Sequence, residues 1–417
     1  MLSPFAIAGI LVAVFVGFNI GGSSTGVAFG PAVGSRLLRK TTAAGLFTVF
    51  GFVGAWTVGR NVIETMSSSI VPAAQFTPVA SVGVLFFTGL SLLISNLYGV
   101  PASTSMTAVG AIVGLGLATG TLNEALMFTI LSAWIVAPLV GFGSGALIGR
   151  YVYPYLDRRV AFTQFDAPLF QLDRSGAIPR PTVNDNASST DIIGSTLVLV
   201  IACYMAFSAG ASNAANAVAP LVGQQGPLTV DQGVLLAVFA FGLGGFTIAR
   251  RTLETVGDDI TELPILASLI VSIVGGTIIT VLSVLGIPAS LAVSTTCCII
   301  GLGWGRASRA VTVSELATPT PDETPELDVS TGALVASRTE GVPTSPTVGD
   351  LARGEAAPDE QTVDDAPEIP EIGEEGPAEL DRRSLFDPTA VTRIVSMWVL
   401  TPTLSVVGSY PLFLFVL

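Results

Sequence analysis

Ten apolar segments recur along this chain, at roughly residues 4–34, 41–59, 78–98, 103–120, 125–149, 191–223, 230–249, 263–286, 288–305 and 390–417. Runs that approach the ~20 residues needed to cross a ~30 Å hydrocarbon core leave few choices of fold. Every backbone N–H and C=O in lipid must be paired inside the protein, and an α-helix does this within a single segment. Half of the residues are apolar and only 12% are charged, so the pattern predicts an all-α, polytopic integral membrane protein, placed in the cytoplasmic (cell) membrane. The first segment opens Met1-Leu-Ser-Pro-Phe, without the basic region of a secretory signal, and continues into a Gly/Ser stretch. It reads as the first membrane segment.

Two of these segments carry nearly the same small, polar pattern about 190 residues apart: Gly21-Gly-Ser-Ser-Thr-Gly-Val-Ala-Phe-Gly-Pro31 and Gly210-Ala-Ser-Asn-Ala-Ala-Asn-Ala-Val-Ala-Pro220. A broken, polar stretch at membrane depth survives only where it lines a protected cavity, and its recurrence in two halves points to a transporter binding site. The segment from Pro4 to Gly34 is therefore expected to cross and then bend, or re-enter, at Gly21-Gly-Ser-Ser.

Three further pairs relate the halves. Arg60-Asn-Val-Ile-Glu64 matches Arg250-Arg-Thr-Leu-Glu254, Gly99-Val-Pro101-Ala-Ser103 matches Gly286-Ile-Pro288-Ala-Ser290, and Ser132-Ala-Trp134 with Pro138 matches Ser396-Met-Trp398 with Pro402. The last pair is offset by about 77 residues more than the others, which marks an acidic insertion. Its Pro, Thr, Asp and Glu content cannot bury enough apolar surface to offset chain entropy. The expected organisation is membrane repeat 1 over 1–150, a cytoplasmic linker over 151–190, the first part of repeat 2 over 191–305, a disordered cytoplasmic insert over 306–386, and the last helix over 387–417. With the amino terminus outside, arginines cluster in the inner loops and only Arg60 lies outside. Five crossings per half is odd, so the repeats are expected to be inverted, with discontinuous or re-entrant helices.

Several functions are excluded. There is no histidine, so no Ser-His-Asp triad or His/Cys metal cluster can form. The intramembrane motifs also hold no nucleophile paired with a base, and the chain reads as not an enzyme, with no cofactor or metal. Cys203, Cys297 and Cys298 lie in apolar segments and read as packing residues. The net charge of −13, with Lys40 the only lysine, resembles salt-adapted proteins and leaves no basic stripe for nucleic acid.

What remains is a set of neutral donors. They come in pairs: Ser23, Ser24 and Thr25 of the first half with Ser212, Asn213 and Asn216 of the second, and Ser103, Thr104 and Ser105 with Ser290, Ser294, Thr295 and Thr296. The second set follows two Gly-x-Pro-Ala-Ser breaks, where proline pre-sets the start of a helix. Hydroxyls, amides and helix N-termini of this kind can hold a tetrahedral anion without lysine. Each motif also has a plainer reading. Gly22, Gly26, Gly30 and Gly34 form a small-xxx-small packing ridge, and Ser/Thr pairs commonly back-bond within a helix. Recurrence beside the breaks favours the site.

These residues resemble the inorganic phosphate transporter (PiT) family over both membrane halves. That family carries a Gly-Ala-Asn-Asp-x-Ala-Asn signature in each half, followed by a Pro-x-Ser-Thr-Thr-His element. Residues 207–221 look like the second signature, Thr252-Leu-Glu-Thr-Val-Gly like the stretch beyond it, and Pro101-Ala-Ser-Thr-Ser105 like the first Ser-Thr-Thr element. Val293-Ser-Thr-Thr296 fits the second, four residues farther from its proline, so either Ser290 or Ser294 could be the counterpart of Ser103. The resemblance implies a secondary transporter of inorganic phosphate working by alternating access, with Ser103, Thr104, Ser105, Ser290, Ser294, Thr295 and Thr296 on the substrate.

The chain departs from the family where Ser23-Ser24 and Ser212-Asn213 replace Asn-Asp, Val27 replaces the last Asn of the first signature, and Met106 and Cys297 replace its histidines. Neutral side chains cannot balance a bound Na⁺ or carry a proton. Anion transport is therefore better supported than coupling to Na⁺ or H⁺. Glu64 and Glu254 are the remaining carboxylates for coupling, although with Arg60 and Arg250 they also fit plain i,i+4 pairs. The close rival is a sulfate or other tetrahedral oxyanion permease, and a different class is a transport-derived membrane anion sensor. The expected partners are the oxyanion and membrane lipid, with no nucleic acid; a homodimer is one assembly such a carrier could adopt.

Overall fold

The computed structural model describes residues 3–34, 37–97, 103–159, 170–173, 180–183, 189–222, 226–259, 265–310 and 388–416. Each of the ten apolar segments lies on one helix. In the first half these are α1 (Pro4–Gly34), α2 (Lys40–Trp56), α4 (Pro78–Leu97), α5 (Thr104–Thr119) and α6 (Glu124–Leu147). In the second they are α8 (Ser189–Val218), α9 (Val230–Asp259), α10 (Ile265–Val284), α11 (Leu291–Ala310) and α12 (Pro388–Val416). The short α3 (Gly59–Glu64) continues α2 through a bend of 62°, and α7 (Tyr153–Arg159) follows α6. The exception to the helical pattern is a small antiparallel hairpin in the predicted linker, β1 (Phe170–Asp173) against β2 (Arg180–Val183).

Among the described residues six helices are long and apolar enough to cross a membrane, or seven with the bent α2–α3 pair as one span. The chain is a multi-pass membrane protein. Its outer surface agrees: Leu11, Phe128, Ile135, Leu139, Phe239, Val407 and Phe415 are all exposed, large apolar side chains suited to contact with lipid. α5 has 16 residues and rises only ~24 Å at 1.5 Å per residue, short of a full crossing. Its start at Thr104 is therefore suited to lie at membrane depth.

The packing is repeat-related and inverted. Gly17 of α1 neighbours Ala240 of α9, and farther along both helices Thr25 neighbours Gly245, so α1 and α9 run parallel. Gly51 and Gly54 meet Ala206 and Ala211 in the same order, so α2 and α8 run parallel too. Arg60, just beyond α2, meets Asp231 at the start of α9, which makes α2 antiparallel to α9. It follows that α1 opposes its own counterpart α8. The other swapped pairs also run parallel: Gly141 and Gly145 of α6, and Gly149 just beyond it, meet Ser294, Cys298 and Leu302 along α11, while Gly110 and Gly114 meet Pro402 and Ser409 along α5 and α12.

Close crossings explain why small residues recur. A Cβ on Gly54 would overlap the Phe207 carbonyl, and one on Gly244 would overlap the carbonyl of Phe18, its repeat counterpart. Without a hydrophobic drive between helices in lipid, such backbone approach is what holds them. Phe47, Ile20, Val16, Phe241 and Met66 fill the buried core around these crossings.

Three expectations need correction. α1 is continuous through Gly21-Gly-Ser-Ser and through Pro31. The expected bend is absent because Ser23 Oγ and Thr25 Oγ1 donate back to the carbonyls of Ile20 and Gly21, and Gly21 packs against the Phe241 backbone. The hydroxyls are satisfied inside an intact helix. The discontinuities lie instead at the α2–α3 bend and at the Gly286 turn, where φ is +71°. Second, α11 runs to Ala310, beyond the expected start of the insert at 306. Third, Arg60 does not pair with Glu64. Its Nη2 bonds Asp231 at 2.6 Å, its Nε donates to the Trp56 carbonyl at 2.8 Å, and it stacks on the Trp56 ring. The rest of the insert, residues 311–386, lies outside the described residues.

Candidate functional site

The two Pro-Ala-Ser breaks launch α5 and α11 in the same way. Ser103 caps α5 by accepting from the Met106 N–H at 3.3 Å, and Ser290 accepts from the Val293 N–H at 3.3 Å at the start of α11. Each hydroxyl serves the amide three residues on, as an N-cap does. This shared role identifies Ser290, and not Ser294, as the counterpart of Ser103. Both N-termini retain unsatisfied amides and the positive end of a helix dipole.

α8 joins the two starts. Asn216 Nδ2 lies 3.2 Å from Thr104 Oγ1, 3.1 Å from Ser105 Oγ and 3.1 Å from Asn213 Oδ1. Thr104 Oγ1 in turn donates to Asn213 Oδ1 at 2.8 Å. One turn earlier on the same helix, Ser212 Oγ donates to the carbonyl of Ala289 at 2.9 Å, immediately before Ser290. The second-half signature therefore fixes the first-half Ser-Thr element and the second-half break together. Ser103, Ser105, Asn216 and Ser294 are almost wholly buried, with Asn213 and Ser290 close behind. The Oδ1 of Asn216 is buried and has no hydrogen-bond partner among the described residues.

Among the described residues, the other predicted residues share no side-chain hydrogen bond with this cluster. Ser23 is exposed, Ser24 half-buried and Thr25 buried on α1, and the hydroxyls of Ser23 and Thr25 turn onto their own helix. Thr295 Oγ1 likewise bonds the carbonyls of Leu291 and Ala292, while Thr296 is half-buried. Glu64 is exposed at the end of α3. Glu254 lies on α9 at a position whose side chain is outside the described set.

Sequence reasoning gave no role to the donors that clamp the second break. Trp134 Nε1–H donates to the Pro288 carbonyl at 2.7 Å, and Asn61 Nδ2 donates to Val284 at 2.8 Å. The signal for Trp134 was present, since Ser132-Ala-Trp134 recurs as Ser396-Met-Trp398. Asn61 carried none, because its counterpart is Arg251.

The sequence profile of the phosphate transporter family matches residues 20–409. The chain is 34% identical over 301 residues to Sulfate permease CysP of Bacillus subtilis (strain 168), covering 72% of this chain and 77% of that protein. Among solved structures it resembles the sodium-dependent phosphate transporter, with a TM-score of 0.58 at 18% identity over 99% of this chain and 100% of that one. At that identity the likeness establishes a shared fold.

Proposed function

Because the chain belongs to the phosphate transporter family, we propose that it is a secondary transporter that carries inorganic phosphate across the membrane by alternating access. The observation that carries this reading is the Asn216 bridge to Thr104 and Ser105, with Ser212 holding the Ala289 carbonyl from the same helix. It gathers hydroxyls and two helix N-termini from opposite halves around one locus. The anion's oxygens would take the free amides and hydroxyls at the starts of α5 and α11, where the dipoles favour negative charge. Ser103, Thr104, Ser105, Ser290, Ser294, Thr295 and Thr296 supply the surrounding side chains.

Sulfate is the second reading. A relative named a sulfate permease shares a third of the aligned residues. The hydrogen-bonded cluster described above contains no carboxylate to accept the proton of HPO4²⁻, and sulfate needs none.

Coupling rests on oxygens without formal charge. Asn216 Oδ1, buried and lacking a donor, is a ligand suited to Na⁺, and Asn213 and Ser212 lie beside it on α8. Ser23, Ser24 and Thr25 would serve only if α1 rearranged, and Glu64 would act from an exposed position. Membrane lipid fits the exposed apolar surface, and a homodimer would cover part of it. The family that the chain matches is one of transporters, and this reading assigns the chain no enzyme role.

The deciding experiment is uptake of labelled phosphate and sulfate into proteoliposomes under separate Na⁺ and proton gradients. Phosphate accumulation driven by one gradient is the expected result, and accumulation of sulfate alone selects the second reading. Deleting residues 311–386 should leave uptake intact, whereas a sensor would lose its output.

A further inference from the structure

Met106 and Val293, whose amides donate to the capping serines Ser103 and Ser290, both line one shared cavity. It has a volume of about 610 Å³ and lies between the α5/α12 and α6/α11 pairs. Its walls come in repeat-related couples: Met106 with Val293, Trp134 with Trp398, and Pro138 with Pro402. A cavity lined by equivalent residues of both halves sits on the axis that relates them, and in inverted repeats that axis lies in the membrane plane. The cavity therefore lies near the bilayer midplane. A further couple, Ile135 and Val399, lines it while each side chain stays 65% exposed, so its mouth opens on the lipid-facing surface. Met106 and Val293 are buried.

The lining offers little to water. Trp134 uses its indole N–H on the Pro288 carbonyl at 2.7 Å, and Thr403 its hydroxyl on the Val399 carbonyl at 2.6 Å. The Trp398 N–H remains, without an acceptor among the described residues, whereas a buried water needs about two to four polar partners. Apolar cavities stay dry and take up apolar guests, and the guest that the bilayer supplies at this depth is the end of an acyl chain. The close glycine crossings fall within each pair, Gly110 and Gly114 on α12 and Gly141 and Gly145 on α11, while the cavity separates one pair from the other. We propose that this cavity binds the end of one acyl chain of a membrane lipid, and that the chain is a yielding spacer between the two helix pairs that present the anion-binding N-termini. A fluid chain conforms as the pairs shift, where side chains packed at native density would resist. The spacer role rests on the alternating-access reading above, and the binding site does not.

The site is tested in the unaltered full-length chain, reconstituted in nanodiscs with a lipid that carries a photoreactive diazirine at its chain end. Peptide mapping should find the label on Met106 or Val293, which surface lipid does not reach. Label confined to outward residues such as Ile135, or excluded altogether because a second copy covers the mouth, overturns the proposal. The spacer role is tested by filling the cavity with Val113→Phe and Val406→Phe together. Labelling of Met106 and Val293 should be lost, and the maximal uptake rate should fall about 2–10-fold through slower conformational exchange, with anion affinity in a radiolabel binding assay unchanged. Lost label with an unchanged rate overturns the spacer. Should the filled variant fail to fold, the native chain in lipids with straight and with methyl-branched chains gives the same reading: the rate should differ at constant affinity, and equal rates overturn the spacer. Absent uptake of phosphate and sulfate by the native chain would sink the transport reading and the spacer with it, while the labelling still decides the site.

Discussion

In α1 the hydroxyls of Ser23 and Thr25 turn back onto the carbonyls of Ile20 and Gly21, whereas in α8 Ser212, Asn213 and Asn216 reach Ala289, Thr104 and Ser105 on other elements. The two helices carry the same small-residue pattern and make repeat-related crossings, yet only one extends polar arms across the bundle. For Ser212 the difference is that a neighbouring carbonyl, that of Ala289, lies within a hydroxyl's reach; for Asn213 and Asn216 it also lies in side-chain length and chemistry. A serine or threonine hydroxyl can reach the carbonyl of its own preceding turn, while the longer asparagine amide also offers two donors and an acceptor to partners beyond its helix. At the position matching Asn216, the first half has Val27, 43% exposed. A duplicated framework has therefore become asymmetric in its chemistry, with α8 carrying the polar load and α1 the packing.

The largest expected effect breaks this comparison directly. Asn216→Leu keeps the side chain's bulk but removes the amide that organises Thr104, Ser105 and Asn213. Anion affinity should fall by roughly 10–100-fold, in line with about 1.5–3 kcal/mol for hydrogen bonds to a charged group. Ser23→Ala should change it less than about twofold, since only a local back-bond is lost. Equal losses in a radiolabel binding assay would place α1 in the site as fully as α8.

Next comes the packing that the helices share. Gly54→Ala and Gly244→Ala insert a methyl into a backbone contact at equivalent crossings, so each should destabilise by about 1–3 kcal/mol. Gly143, which has open space at its Cβ position, serves as the control, and Gly143→Ala should leave the thermal midpoint in detergent unchanged. Unequal effects at Gly54 and Gly244 would show that the asymmetry reaches the scaffold.

A smaller effect is expected at Ser212. Replacing it with alanine frees the Ala289 carbonyl, and intramembrane hydrogen bonds average about 0.6 kcal/mol with a maximum near 1.7. Affinity should drop by roughly 3–15-fold at most on that scale. A Ser212→Ala and Trp134→Phe double-mutant cycle should be non-additive, because both donors hold the same break. Additive losses would mean that the two carbonyls are positioned independently.

The smallest effect belongs to the exposed bridge between the halves. Arg60 and Asp231 have side chains 36% and 59% exposed, and pairs of this kind contribute about 0.2–1 kcal/mol. Asp231→Asn should lower the thermal midpoint only slightly, with the loss shrinking further as salt is raised.

By itself the sequence determined the membrane class, all ten helical segments, the two halves and the Ser-Thr elements. These are properties of composition and recurrence, because lipid forces helices on long apolar runs. It also placed Asn213 and Asn216 among the candidates. It could not tell that Gly21-Gly-Ser-Ser stays helical, since a small polar stretch reads the same whether its hydroxyls bond their own turn or a neighbour. Only the tertiary structure decided that, through the packing of Gly21 on Phe241. It likewise decided that Arg60 meets Asp231 171 residues away instead of Glu64 in the next turn, and that Ser290 is the cap. Choices of this kind depend on which helix lies alongside, and a periodicity within one segment carries no record of its neighbour.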